Sequence, residues 1–335
     1  MVSLTANMQL QNPDDADNAE VAVHTYVSNN NNKLDVHRHT GGLDGLTIQN
    51  AGLAADMARA NQLVNGGFEV WQRGNGPFTA AAAYLADRWI ISPSGTDTIS
   101  ITKDTANVDT AGGSQACAAC VFVLGTGGGA FDVRQALKTT DGYQLSNRVV
   151  SFSGRVKSSV IGSVRIGVHN GSAWTYSTSN VGTTYETLTV TATVGASPAT
   201  VTVAFLFAAS CTAYLDNAML VPGSVAADYV PLNPADDLAR CQRYYELVGV
   251  AADSSVVLQG MASGAGNATV PIRFQVVKPV AATVTKVGTW GATNCGQPNM
   301  LSVGTAGFGY QVAVTGAGQF TSQNTAGNFT LEANP

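Results

Sequence analysis

The sequence predicts a mainly β protein: a sandwich or jelly roll, then a smaller C-terminal β domain, with an extended N-terminal segment and short helix ahead of both. Three observations carry this. Charged residues make up only 12% of the 335-residue chain while glycines number 36, a balance that favours turn-dense β structure over helical bundles. Short runs rich in β-branched and aromatic residues recur between residues 99 and 221, which is the rhythm of an all-β domain. From residue 254 onward only Arg273, Lys278, Lys286 and Glu332 are charged, and Val/Ile/Phe runs alternate with Gly-rich turns.

Residues 1–62 form the first segment. They carry seven acidic and three basic side chains and the run Asn29-Asn30-Asn31-Asn32, so they bury little alone and take their order from partners. Leu53, Met57, Ala60 and Val64 follow at spacings of four, three and four. That seam suits either three helices side by side on an axis or one amphipathic helix packed on its own domain.

Residues 63–232 read as the sandwich, with strands expected at Ile99–Thr102, Ala116–Leu124, Phe131–Leu137, Val149–Val156, Val164–His169, Thr187–Thr193, Val201–Phe207 and Ala213–Val221. Asn170-Gly171 predicts a type I′ hairpin turn leading into Trp174–Tyr176, and Asp141-Gly142 a further turn. Pro231 and Pro234 interrupt both helix and strand. Residues 233–335 then open on a short helix, capped by Asp236 and running through Leu238, Cys241, Tyr244 and Tyr245. So few charges on a β domain imply that strand edges and faces are buried by association.

Several functions lose their footing at this level. No basic stripe stands ready for nucleic-acid phosphates. No signal-peptide pattern opens the chain and no apolar run reaches membrane-spanning length, so a soluble protein without membrane insertion is expected. No H-E-x-x-H, G-x-S-x-G or phosphate-binding glycine loop occurs. Glycoside cleavage needs two placed carboxylates; Asp87, Asp132, Asp141, Glu186 and Asp216 are available but scattered, and the repeats of a β-helical scaffold are missing. Cys117 and Cys120 lie in an apolar run and read as small core hydrophobes, in keeping with assembly in a reducing cytoplasm. His169 reads as structural.

Aromatic rings offer apolar faces to the C–H groups of sugars. Trp174 and Tyr176, and Trp290 and Tyr310 in the last domain, are the candidate ligand-binding residues, with core packing as the alternative. Trp71 and Trp89 read as core, with Arg73, Asp87 and Arg88 pairing around them.

Two signatures about 170 residues apart point to a family. The first is Asn65-Gly66-Gly67-Phe68-Glu69-Val70-Trp71-Gln72-Arg73-Gly74 followed by Ala86-Asp87-Arg88-Trp89. The second is Gly223-Ser224-Val225-Ala226 leading into Cys241-Gln242-Arg243-Tyr244-Tyr245-Glu246. With His37-Arg38-His39-Thr40-Gly41-Gly42 and Asp44-Gly45 near the N-terminus, they resemble the fibre and receptor-binding proteins of tailed bacteriophages. The resemblance implies a non-enzymatic virion protein, assembled in the host cytoplasm. It would be a homotrimer docked on other virion proteins by its N-terminal segment, attaching the particle to a host cell-surface polysaccharide. A head fibre, collar or decoration protein is the alternative, and a glycan hydrolase a more distant one. Three chains around an axis would present His37 and His39 as six imidazoles, a set suited to a transition metal; the alternative is that both simply fit the chain to a partner.

The middle block also resembles jelly-roll carbohydrate-binding modules. Asn65–Glu69, Val150-Ser151-Phe152-Ser153-Gly154-Arg155-Val156-Lys157 and Tyr214-Leu215-Asp216-Asn217-Ala218 carry that resemblance. It implies two facing antiparallel sheets, and Glu69 and Asp216 as candidate ligands of a structural calcium.

Overall fold

Alternating short strands build two facing sheets. The computed structural model describes residues 61–92, 96–126, 131–249 and 255–334. The expectations for the N-terminal segment up to residue 60, for its helical seam at Leu53, Met57 and Ala60 and for the pair His37 and His39 lie outside those residues; Val64, the last seam position, packs with Cys241 and Tyr244. In chain order the sandwich contains β1 (Ile90–Ser92), β2 (Thr98–Asp104), β3 (Cys117–Val123), β4 (Phe131–Lys138), the single turn α1 (Thr139–Gly142), β5 (Val149–Ser158) and β6 (Val164–His169). It continues through β7 (Trp174–Tyr176), β8 (Glu186–Thr193), β9 (Thr200–Phe207) and β10 (Cys211–Pro222).

One sheet runs β1-β4-β9-β6-β7 and the other β2-β3-β10-β5-β8, every pairing antiparallel. Period-two alternation sends Val150, Phe152 and Val156 of β5 and Val203, Phe205 and Phe207 of β9 into one shared core with Phe68, Trp89 and Phe122. This is the jelly-roll-like β-sandwich expected from the sequence.

Two local expectations need correction. The hairpin after β6 is not a type I′ turn: Gly171 has positive φ (102°) and Asn170 does not. Asn170 Oδ1 instead accepts the N–H groups of Ser172 and Ala173, both at 3.0 Å, while its own N–H donates to the Ala173 carbonyl. An Asn side chain that mimics the backbone in this way closes a longer loop. Asp141-Gly142 ends α1 and is followed by a 3₁₀ turn at Tyr143–Leu145 rather than by a simple reverse turn.

The C-terminal module comprises α2 (Pro234–Gln242), β11 (Tyr245–Val248), β12 (Val257–Ala262), β13 (Gly266–Arg273), β14 (Thr283–Thr293), β15 (Asn299–Leu301), β16 (Gly307–Val314) and β17 (Gly318–Glu332). The helix is capped one turn earlier than expected. Asn233, not Asp236, accepts the Ala235 N–H at 3.0 Å, and Pro234 takes the first helical position, where its missing N–H costs nothing. Tyr244 and Tyr245 both lie beyond the helix, Tyr245 in β11. β17 pairs with β14 along one side and with β11 and β12 along the other, and β13-β16-β15 form a second sheet. Phe308, Tyr310, Phe320, Phe329 and Leu331 fill a core of their own.

The two sequence signatures meet at one junction. Asn65 ties the first together: its amide donates to the carbonyls of Val70 and Asp87, and its carbonyl accepts Trp89 Nε1 at 2.9 Å. Asp237 of α2 accepts the Asn65 N–H. Gln72 donates to the Tyr245 carbonyl at 2.9 Å, and Arg73 lies 3.6 Å above the Tyr245 ring while pairing with Asp87 and with Glu332 of β17. Arg88 does not pair with a carboxylate as expected. It stacks 4.0 Å over Tyr244 and donates to Asn334 and to the Ala136 carbonyl. The signatures are the mortise and tenon between sandwich and C-terminal module.

Candidate functional site

The outer face of the β1-β4-β9-β6-β7 sheet gathers aromatic, charged and small side chains in a regular array. Register sets the rows. Asp132, Leu206 and Arg165 lie side by side across β4, β9 and β6. The next row holds Arg134, Ala204, Gly167 and Tyr176, and the third Ala136, Thr202, His169 and Trp174. At the usual strand rise the first and third rows are about 13 Å apart. The small residues Ala204, Gly167 and Thr202 are buried beneath longer neighbours, with the Tyr176 ring and Leu206 lying across Gly167.

Trp174 and Tyr176 form the wall on β7. Their rings are 5.8 Å apart and only 7° from parallel. Arg165 caps Tyr176 with its guanidinium 4.0 Å from the ring centroid, and His169 meets Trp174 edge-on at 5.3 Å. Gly167 makes this possible, because a Cβ there would lie 2.8 Å from Cδ1 of Tyr176. The stack is held in place from below and from both sides, yet Tyr176 keeps 39% of its surface open. A pre-ordered aromatic edge can hold the apolar face of a sugar without first being fixed.

The far end of the array carries unmet hydrogen-bonding capacity. Asp132 is only 9% exposed, its Oδ1 lacks a hydrogen-bond partner, and the nearest cation is Arg134 at 3.7 Å. The Nε of Arg165 is likewise buried without a partner. Both atoms are shielded from solvent, so they are a cost carried by the fold and not contacts offered to a ligand. Burial pushes the Asp132 carboxyl up to about 6, against the opposing pull of Arg134.

Asp87, pushed to about 6, and Asp216, pushed to about 7, are raised for the same reason. Each of these three holds a proton in the folded chain at a pH where the unfolded chain has released it. Their joint contribution to stability is therefore fully present below about pH 4 and is lost as pH rises through about 6 to 7. Denaturant titrations across that window are expected to show stability falling as pH rises. Asp132→Asn should flatten the profile by about 1–2 kcal/mol; an unchanged slope in that variant would remove Asp132 as a contributor.

The remaining candidates fall elsewhere. Trp290 and Tyr310 are core residues, 5% and 0% exposed, packed on Phe329. The Tyr310 hydroxyl donates to Ser322 inside the module. Neither faces solvent as a sugar contact must. Glu69 Oε1 accepts the N–H groups of Gln115 and Ala116, and Asp216 accepts those of Asp109 and Asn217. Their oxygens staple loops to strands, and no group of three or more acidic, His or Cys side chains among the described residues is placed to hold a metal. Cys117 and Cys120 are buried free thiols, and burial pushes Cys117 up to about 12.

The sequence does not single out Arg165 or Arg134, and offers Asp132 only as one of five scattered carboxylates. The signal was there in part, since Arg165, Gly167 and His169 alternate on β6 with the inward Val164, Ile166 and Val168.

No protein-family model matches the chain, and no curated protein matches it. Among solved structures the chain is similar to the enzymatically active domain of tailspike protein 4 of bacteriophage CBA120, with 14% identity and a TM-score of 0.35 over 49% of this chain and 21% of that one. It is also similar to TmCBM61 in complex with beta-1,4-galactotriose (12%, TM-score 0.30, 49% of this chain and 99% of that one). The CBM22-1 xylan-binding domain of Paenibacillus barcinonensis Xyn10C is a third (14%, TM-score 0.34, 50% and 98%).

Proposed function

We propose that this chain is a bacteriophage attachment protein, a trimeric fibre whose sandwich binds a host-surface glycan along the outer face of the β1-β4-β9-β6-β7 sheet. The observation that carries the binding reading is the Trp174–Tyr176 stack, fixed by Gly167, Arg165 and His169 at the edge of the sheet. The virion reading rests on the sequence signatures and on the charge-poor C-terminal module, which favours association. Binding without cleavage fits a face on which Asp132 is the one carboxylate of the three rows, since glycoside cleavage uses two. A few weak sites per particle suffice, because several fibres bind at once.

The test is binding of purified protein to intact host cells, beside a Trp174→Ala/Tyr176→Ala variant. At least about tenfold weaker binding is expected, the loss of two ring contacts at roughly 1 kcal/mol or more each. Light scattering of the same preparations should report a trimer. Equal binding by the variant overturns the site, a monomer overturns the fibre, and labelling of the capsid rather than the tail in micrographs favours a head or collar location.

A further inference from the structure

The opposite sheet carries a cleft of about 370 Å³. Its floor is the outer face of β5 and β10, where Ser153, Arg155 and Asn217 point away from the core. The chain leaving β10 forms one wall. Ser151 and Ser153 donate to the carbonyls of Gly223 and Ala227, and Ala227 and Tyr229 pack on Met219 and Val221. The turn from Asp109 to Gly112 forms the other wall, and Thr187 of β8 stands at the rim.

The polar groups here are held in fixed positions. Pairing between β10 and β5 shifts register between Asp216 and Met219, and Asn217 takes a positive φ of 47°, a backbone state that costs free energy and that Asn tolerates better than most residues. Its amide sits beneath Gly112, where a Cβ would lie 2.0 Å from Nδ2. Ser114 donates to Asn217 Oδ1 at 3.1 Å. Arg155 is gripped by Asp109 through two hydrogen bonds, at 2.6 and 3.3 Å, and donates to Thr187 at 3.1 Å.

The chemistry of the lining selects a ligand class. The Asp109–Arg155 pair cancels its own charge, and Asp228 leaves the cleft slightly negative, so an anion is disfavoured. Hydroxyl, amide, carboxylate and guanidinium groups alternate with the apolar surfaces of Ala111, Ala227 and Tyr229. Groups that both donate and accept hydrogen bonds around a ring with C–H faces satisfy such a lining, and the volume lies within the range of small-ligand sites. We propose that this cleft is a second saccharide site, one that takes a neutral sugar residue on the face of the sandwich opposite the ring stack. Two sites on opposite faces let one module engage two strands of a polysaccharide.

Saturation-transfer difference NMR with D-glucose, D-galactose, N-acetyl-D-glucosamine and D-galacturonate tests this, because it detects weak ligands on large proteins. The Trp174→Ala/Tyr176→Ala variant isolates the cleft. In that background at least one neutral sugar should retain its signal, and galacturonate should give less. Adding Thr187→Trp, or separately Ala111→Trp, should lower the retained signal about tenfold. Both positions are exposed, so both variants should keep the wild-type circular dichroism. Loss of all signal in the ring variant overturns the second site and leaves the first standing. Signal that persists through both filling variants, or galacturonate binding as well as the neutral sugars, also overturns it. Signal unchanged by the ring substitutions but removed by the filling ones supports the cleft and counts against the ring stack instead.

Discussion

Lys278→Ala is expected to destabilise the C-terminal module by about 3–5 kcal/mol, the usual consequence of leaving one partner of a buried ion pair alone. Lys278 and Glu246 have side chains 0% and 1% exposed, with Nζ 2.5 Å from Oε2. Nζ also donates to the Gln242 carbonyl, at the end of α2, and Glu246 Oε1 accepts the Gln275 N–H at 3.0 Å. Burial draws the ammonium pKa down, and Glu246 draws it back up. Removing the ammonium leaves a carboxylate in an apolar interior and an unpaired carbonyl at the helix end. Hydrogen exchange of the peptides spanning β13 and β16 should accelerate accordingly. The double variant Glu246→Gln/Lys278→Met should recover most of the loss, because no buried charge then lacks a partner. Recovery no better than the single variant would mean that the pair holds the fold by packing rather than by charge.

Trp89→Ala is expected to cost the sandwich about 3–5 kcal/mol, through lost burial and the cavity left behind. Trp89 is 0% exposed, stacks on Phe68 at 4.6 Å and meets Phe205 at 5.7 Å. Its indole N–H also satisfies the Asn65 carbonyl, so the substitution loosens the residue that organises the first signature. Urea unfolding should show the drop. Trp89→Phe should lie between the two proteins, because it restores ring volume without the N–H. A Trp89→Ala protein within about 1 kcal/mol of wild type would contradict the assignment of the signature to the core junction.

Strands of the sandwich were legible because their faces differ. Each of the eight expected runs overlaps an observed strand, since inward Val, Leu and Phe alternate with outward Ser, Arg and Thr along β5 and β8 and the first half of β9. The three-residue β1 carries too short a pattern to stand out. The C-terminal module was harder to read at the level of side chains. Its strands have few charges on either face, so nothing in Trp290 or Tyr310 marks the inward direction.

Irregular pairing compounds this. Opposite Thr289 and Trp290, β17 carries an extra residue, and its inward set changes from Phe329 and Leu331 to Phe320, Ser322 and Asn324. One inserted residue exchanges the two faces of a strand. That places Ser322 inside, where the Tyr310 hydroxyl finds it. The binding face was half legible. Trp174 and Tyr176 stood out as large rings next to a turn, whereas Asp132, Arg134 and Arg165 join them only through the register of β4, β9 and β6, which spans distant parts of the sequence. The signatures were correctly read as scaffold, but that they pack on each other is a fact of the fold.

Glycan binding by the ring stack is measured by an array of host-surface polysaccharides probed with the full chain and with Trp174→Ala/Tyr176→Ala at matched concentration. The chain is expected to retain at least one polysaccharide without releasing reducing ends, and the variant to retain it at least about tenfold less. Retention unchanged by the loss of both rings, or reducing ends released from the bound glycan, would contradict it.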